Sequence, residues 1–108
     1  EAGDPTILEN DIIVGHPVTL HGCYVETGCL IGIGAILLDG VRVGKNSLVG
    51  AGSLLTPGTI IPPGSLAMGS PAKVKRALTD KEIKGIEQNV ASYVDLSTAY
   101  KASAGPIS

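Results

Sequence analysis

The chain has 108 residues, room for one small domain and too little for two ordinary ones. Eight Lys and Arg against ten Asp and Glu leave a formal charge of −2, without the basic excess of a nucleic-acid binder. Fifteen Gly with three Tyr and no Phe or Trp exclude a core packed around aromatic rings and predict a repetitive aliphatic interior.

The opening Glu1-Ala2-Gly3-Asp4-Pro5 lacks the basic and apolar regions of a secretory leader. No apolar run approaches the ~20 residues of a bilayer span, so no membrane partner is expected. Cys23 and Cys29 stand six apart and match neither a CxxC motif nor a disulfide framework. These features together predict a soluble, reduced, cytoplasmic protein.

From residue 8 onward a period of six sets the pattern. Large aliphatic residues stand at Leu8, Val14, Leu20, Val25, Ile31, Leu37, Val43, Val49, Leu55 and Ile61, and only the step from Leu20 to Val25 is five. A second series of mostly small residues runs through Ile12, Val18, Cys29, Ala35, Val41, Ser47, Ser53, Thr59 and Ser65. A third reads Gly28, Gly34, Gly40, Asn46, Gly52, Gly58 and Gly64, the residue types that tolerate positive φ, which implies a corner in each hexad. A helix has period 3.6 and does not accept such glycine density, and alternating hairpins have period two. What fits is a mainly β fold, a parallel β-helix of short strands whose rungs stack ~4.8 Å apart. At three hexads per coil, residues 8–61 make about three coils. Residues 1–69 are therefore read as the β-helix, with its hexapeptide repeats over 8–65.

Pro62-Pro63-Gly64 and Gly69-Ser70-Pro71 then break the pattern. Residues 70–108 are read as a connector and one C-terminal helix. Thr79 and Glu82 form a capping box, and Ile83, Ile86, Val90, Tyr93 and Val94 follow at helical spacing. The helix is expected over about residues 80–101, lying along a flank of the prism.

Both histidines of the chain fall beside the irregular step, in Gly15-His16-Pro17-Val18-Thr19-Leu20-His21-Gly22-Cys23. Both occupy outward phases of the repeat, on consecutive sides of a coil, so within one chain their imidazoles diverge. Two chains packed side by side can bring His16 of one against His21 of its neighbour, which favours a site between subunits. On spacing alone, polar decoration of a β-helix face is the favoured explanation of the two histidines.

The Gly-His stretch followed five residues later by His21-Gly22-Cys23 resembles the γ-class carbonic anhydrase-like family. Gly32-Ile33-Gly34-Ala35, Leu38-Asp39-Gly40, Gly50-Ala51-Gly52, Thr56-Pro57-Gly58 and Gly69-Ser70-Pro71-Ala72-Lys73 match that family in the same order. So do Leu78-Thr79, Glu82-Ile83 and Tyr93-Val94, and the likeness covers nearly all of residues 6–101. The resemblance implies a left-handed β-helix, a homotrimer, and zinc (or iron or cobalt) held by three histidines at the subunit interface for reversible hydration of carbon dioxide. His16 and His21 match two of those ligands, from different subunits. The third belongs to an earlier coil, and the chain has no other histidine. From two histidines alone the expectation is weak metal binding, with catalysis left open.

Three functions therefore stand side by side: a γ-carbonic anhydrase-like metalloprotein, a hexapeptide-repeat acyltransferase using a coenzyme A thioester, and a non-enzymic scaffold of the same fold. For the scaffold, exposed strand edges on the first coil favour pairing, including two trimers end to end through their N-terminal coils. Glu26 and Asp39 read as corner residues and Cys23 as small inward packing. Lys73, Lys75, Arg76, Lys81 and Lys84 read as a solvated face.

Overall fold

The computed structural model describes residues 5–95, with side chains through residue 88. Ten two-residue strands follow one another along the repeat: β1 (Ile7–Leu8), β2 (Ile13–Val14), β3 (Thr19–Leu20), β4 (Tyr24–Val25), β5 (Leu30–Ile31), β6 (Ile36–Leu37), β7 (Arg42–Val43), β8 (Leu48–Val49), β9 (Leu54–Leu55) and β10 (Ile60–Ile61). In each, the second residue is the large aliphatic of the first series. Every third strand pairs in parallel, which gives three sheets and a three-sided solenoid of about three turns. The first sheet runs β1-β4-β7-β10. The second runs β2-β5-β8 and continues into β11 (Ser65–Gly69) and β12 (Ala72–Ala77), and the third runs β3-β6-β9.

Stacking the same series in successive turns builds the core. Val25, Val43 and Ile61 form one inward ladder, Ile31, Val49 and Ala67 the second, and Leu37 and Leu55 the third, all fully or almost fully buried. Between them lie the small residues Cys23, Cys29, Ala35, Val41, Ser47, Ser53 and Ser65, also buried. The buried hydroxyls are satisfied: Ser47 Oγ donates to Pro62 O at 3.0 Å and Ser53 Oγ to Gly50 O at 2.7 Å. Leu8, at the open end of the first ladder, is 42% exposed, and Val14 and Leu20 are only partly buried. With no described rung beyond them, they have one packing neighbour along the axis instead of two.

The corners need positive φ. Seven of these positions are the expected Gly28, Gly34, Gly40, Asn46, Gly52, Gly58 and Gly64, and Asp11 and Gly22 join them. The corner between β2 and β3 departs from the rule: Pro17 stands there, and the His16–Pro17 peptide is cis.

The irregular step has a definite place. First-turn pairs such as Ile7↔Tyr24 and Thr19↔Ile36 are 17 residues apart, whereas Tyr24↔Arg42 and Ile36↔Leu54 are 18 apart. The missing residue is at the corner between β3 and β4, which holds only His21-Gly22-Cys23.

After β10 the chain does not pass directly to a connector. The hexad period ends, but β11 pairs in parallel with β8 and then antiparallel with β12, from Gly69↔Ala72 to Ser65↔Ala77 with a bulge between Leu66 and Ala67. Gly69-Ser70-Pro71, expected to break the chain, is the turn of this hairpin, with Gly69 at φ 112°. Lys73, Lys75 and Arg76 are exposed along β12.

Helix α1 (Asp80–Asp95) starts where the capping box places it: Glu82 N donates to Thr79 Oγ1 at 3.1 Å, and Thr79 N donates back to Glu82 Oε1 at 2.9 Å. Residues 96–101 of the expected helix lie outside the described residues. The helix runs along the outward face of the second sheet, where Ile83 and Ile86 pack with Leu78 on Ile13, Leu30, Leu48 and Leu66. That cover explains why this sheet is apolar on both faces, while the outward row of the first sheet reads Ile7, Tyr24, Arg42 and Ile60. Among the described residues no helix is long and apolar enough to cross a membrane.

Candidate metal centre

The two histidines flank β3, His16 three residues before Thr19 and His21 directly after Leu20. Each lies on a corner, which turns a side chain away from the ladder, and both are exposed. His21 is fixed at its backbone, where its N–H donates to Leu37 O at 2.9 Å. Its ring is also held: Nδ1 lies 3.0 Å from Asp39 Oδ1, on the corner of the next turn. A carboxylate only accepts, so Nδ1–H is the donor in this bond, and in the neutral ring the lone pair is then on Nε2.

Asp39 as a partner of His21 escaped the sequence reading, which treated it as corner filling. The signal lies in the repeat itself, because residues about one turn apart in sequence are stacked neighbours in space, and 21 and 39 differ by one turn.

Glu26 and Glu9, on the first two turns, are engaged. Glu26 accepts from Arg42 Nη2 at 2.7 Å, Arg42 Nε at 3.1 Å and the backbone N of Lys45 at 3.0 Å. Glu9 accepts from the Tyr24 hydroxyl, from Thr27 N and from Thr27 Oγ1. The Tyr24 hydrogen bond, with the Thr27 amide behind it, holds the Glu9 carboxyl below its usual range, and the same bond pushes the Tyr24 phenol up. Arg42 stacks its guanidinium 4.3 Å from the centre of the Tyr24 ring. These groups tie the first two turns together.

Cys23 is buried beneath the His21 corner and is no ligand at the surface; loss of hydration pushes its thiol up. Tyr93 lies in α1, outside the described side chains.

Among the described residues no three His, Cys, Asp or Glu side chains converge within the protomer. The residues present fit a metal as contributors: two exposed imidazoles, one oriented by a carboxylate. They do not make a complete three-ligand set within one chain.

The comparisons agree with this architecture. The bacterial transferase hexapeptide (six repeats) family model matches residues 22–57. Over 95 residues the chain is 53% identical to a Methanocaldococcus jannaschii protein assigned as a carbonic anhydrase, covering 88% of this chain and 60% of that protein. It is 45% identical over 98 residues to gamma carbonic anhydrase 1, mitochondrial, of Arabidopsis thaliana, covering 91% of this chain and 36% of that one. The solved structure of a Bacillus cereus protein assigned as an acetyltransferase superposes with TM-score 0.82 at 38% identity, over 93% of this chain and 71% of that chain. The chain thus spans under two thirds of the curated relatives it matches. Stacked hexads, glycine corners, a capped helix on the second sheet and these identities lead to one conclusion: the chain belongs to the γ-carbonic anhydrase-like family of hexapeptide-repeat proteins.

Proposed function

We propose that this chain forms a homotrimer in which His16 of one protomer and His21 of its neighbour are two ligands of a divalent metal, and that the assembly hydrates carbon dioxide reversibly. The observation that carries this reading is the 53% identity to a protein assigned as a carbonic anhydrase. An alignment of 95 residues within 108 necessarily includes residues 14–95, and with them both histidines and Asp39.

Neutral imidazole suits Zn2+, and also Fe2+ or Co2+. Such an ion, when bound, supplies Lewis acidity that brings the pKa of water to about 7. His16 and His21 would hold it, and Asp39 would keep the His21 ring turned so that Nε2 faces outward. The sequence has two histidines, so a three-histidine set requires a donor from beyond it. The reaction adds water across carbon dioxide to give bicarbonate and one proton. That proton leaves through solvent or buffer. No membrane or nucleic-acid partner enters this reading, and a cytoplasmic location suits the free thiols.

The test is metal content and stopped-flow hydration of carbon dioxide by the purified protein, with and without added Zn2+. The expected result is bound metal and acceleration, both lost in His16→Ala and His21→Ala. A trimer that keeps no metal and gives no acceleration overturns the proposal.

Two other readings each have one observation in favour. The Bacillus cereus structure favours an acyltransferase; saturable binding of acetyl-coenzyme A would support it, and no binding at millimolar concentration would count against it. The exposed Leu8 with partly buried Val14 and Leu20 favours a scaffold that stacks end to end. A hexamer in sedimentation would support that arrangement.

A further inference from the structure

The described surface offers three clusters of chemistry-bearing side chains. Glu9, Tyr24, Thr27, Glu26 and Arg42 satisfy one another on the first sheet, and Arg76 and Glu82 lock the start of the helix. At the third, on the corner after β3, one group keeps an unused coordinating atom. His21 presents Nε2 while Nδ1 is bound to Asp39 at 3.0 Å. Its side chain is 70% exposed and that of Asp39 48%, so neither packing nor burial fixes the ring. The carboxylate is the restraint on the imidazole that the structure shows.

We infer that Asp39 is the positioning residue of His21. By accepting a hydrogen bond from Nδ1–H it sets the tautomer and the ring orientation of the neutral imidazole, so that Nε2 is delivered as the donor to a divalent cation. The inference rests on the metal reading above and adds a residue to it. Free imidazole exchanges its proton between the two nitrogens, and in the Nε2–H form the outward atom is a donor and cannot ligate a metal. A carboxylate behind Nδ1 disfavours that form and keeps Nε2 turned outward as an acceptor. The stacked geometry suits this role: the backbone of Asp39 is itself fixed, its carbonyl accepting from Gly58 N at 2.9 Å, so the carboxylate stands on a corner held by the following turn.

The experiment measures 15N shifts of the His21 ring nitrogens in metal-free, 15N-labelled full chain, at a pH where imidazole is neutral. It compares wild type with Asp39→Ala and Asp39→Asn, and titrates each protein with Co2+ by visible absorption. Thermal melts confirm that each variant is folded. In the wild type His21 is expected mainly in the Nδ1–H form. Asp39→Ala shifts it towards Nε2–H, and Asp39→Asn, which keeps an uncharged acceptor, falls between. Co2+ affinity follows the same order, with Asp39→Ala weaker by roughly 10–100-fold. A His21 tautomer that Asp39→Ala leaves unmoved overturns the inference, whatever the metal does. Wild-type and Asp39→Ala proteins that bind Co2+ equally overturn it too. A tautomer that shifts in a wild-type protein unable to bind Co2+ refutes the metal reading instead, and leaves Asp39 as the group that orients His21.

Discussion

At the scale of single residues, depth within the ladder decides chemistry. Cys29 is fully buried, its thiol donates to Gly44 O at 3.2 Å, and loss of hydration pushes its pKa up to about 11. Cys23 is shifted in the same direction for the same reason. Alkylation needs a thiolate that the reagent can reach. Both cysteines should therefore resist iodoacetamide in the native protein and react once it is unfolded, as mass spectrometry would count. Rapid native labelling of either would contradict the packing. Glycines differ by what surrounds them. A Cβ on Gly32 would meet the backbone N of Ala51 at 2.5 Å, which no rotamer change relieves. Gly58 has φ +78° with nothing within 4 Å, so there an alanine meets only the unfavourable backbone conformation, about 1–2 kcal/mol. Gly32→Ala should cost more than Gly58→Ala in urea denaturation, and the reverse order would mean that the rungs can separate to admit a methyl group.

Elements stabilise one another through stacking. Leu37 has a rung on either side and is fully buried, whereas Leu8 ends its ladder at 42% exposure. Leu37→Ala is expected to destabilise by about 2–5 kcal/mol and Leu8→Ala by less, on the ordinary cost of a core cavity. Comparable losses in the two denaturation curves would show that the outer rung is covered in solution. The helix start carries a pH dependence. Hydrogen bonds from Arg76, supported by the Thr79 amide, hold the half-buried Glu82 carboxyl down at about 2 from its ordinary 4.5. A depressed carboxylate pKa contributes stability above the unfolded value, and that contribution fades as pH falls towards the folded one. Wild type should therefore melt higher than Glu82→Gln at neutral pH, with the gap closing between about pH 4.5 and 2. A gap independent of pH would place the effect elsewhere.

Much of this order was legible in the sequence because a solenoid repeats its local rule. The spacing of Val25, Ile31 and Leu37 dictates strand, side and burial together. Thr79 and Glu82 mark the helix start through a contact only three residues long. The hairpin of β11 and β12 was not legible, because antiparallel pairing after the last hexad carries no period, and its turn residues also read as a plain break. His21 with Asp39 was missed for the opposite reason: the contact is long in sequence and short in space, and nothing in a corner's composition marks it. The pairing of His16 with His21 between subunits belongs to a level of structure that spacing only suggests.

For the whole molecule the sharpest prediction follows from symmetry. If each site takes His16 from one protomer and His21 from the next, His16→Ala and His21→Ala chains fail separately but complement one another when mixed. Random assembly of equal amounts leaves about a quarter of the interfaces with both imidazoles. Co2+ bound per chain in coexpressed, purified mixtures should recover to that fraction of wild type. Recovery of none would show that each chain builds its own site or that the two histidines never share one.

The short corner between β3 and β4 has a wider consequence. In a long strand a one-residue deletion turns every following side chain to the opposite face, yet here Leu20 stays over Leu37 and Tyr24 over Arg42 in spite of it. Strands of two residues confine parity errors to the bend, so length can be edited at bends without rewriting the interior. Bends facing open space, such as those at Gly52 and Gly58, are therefore natural ports for grafted peptides, and a family built this way can acquire new loops without surrendering its scaffold.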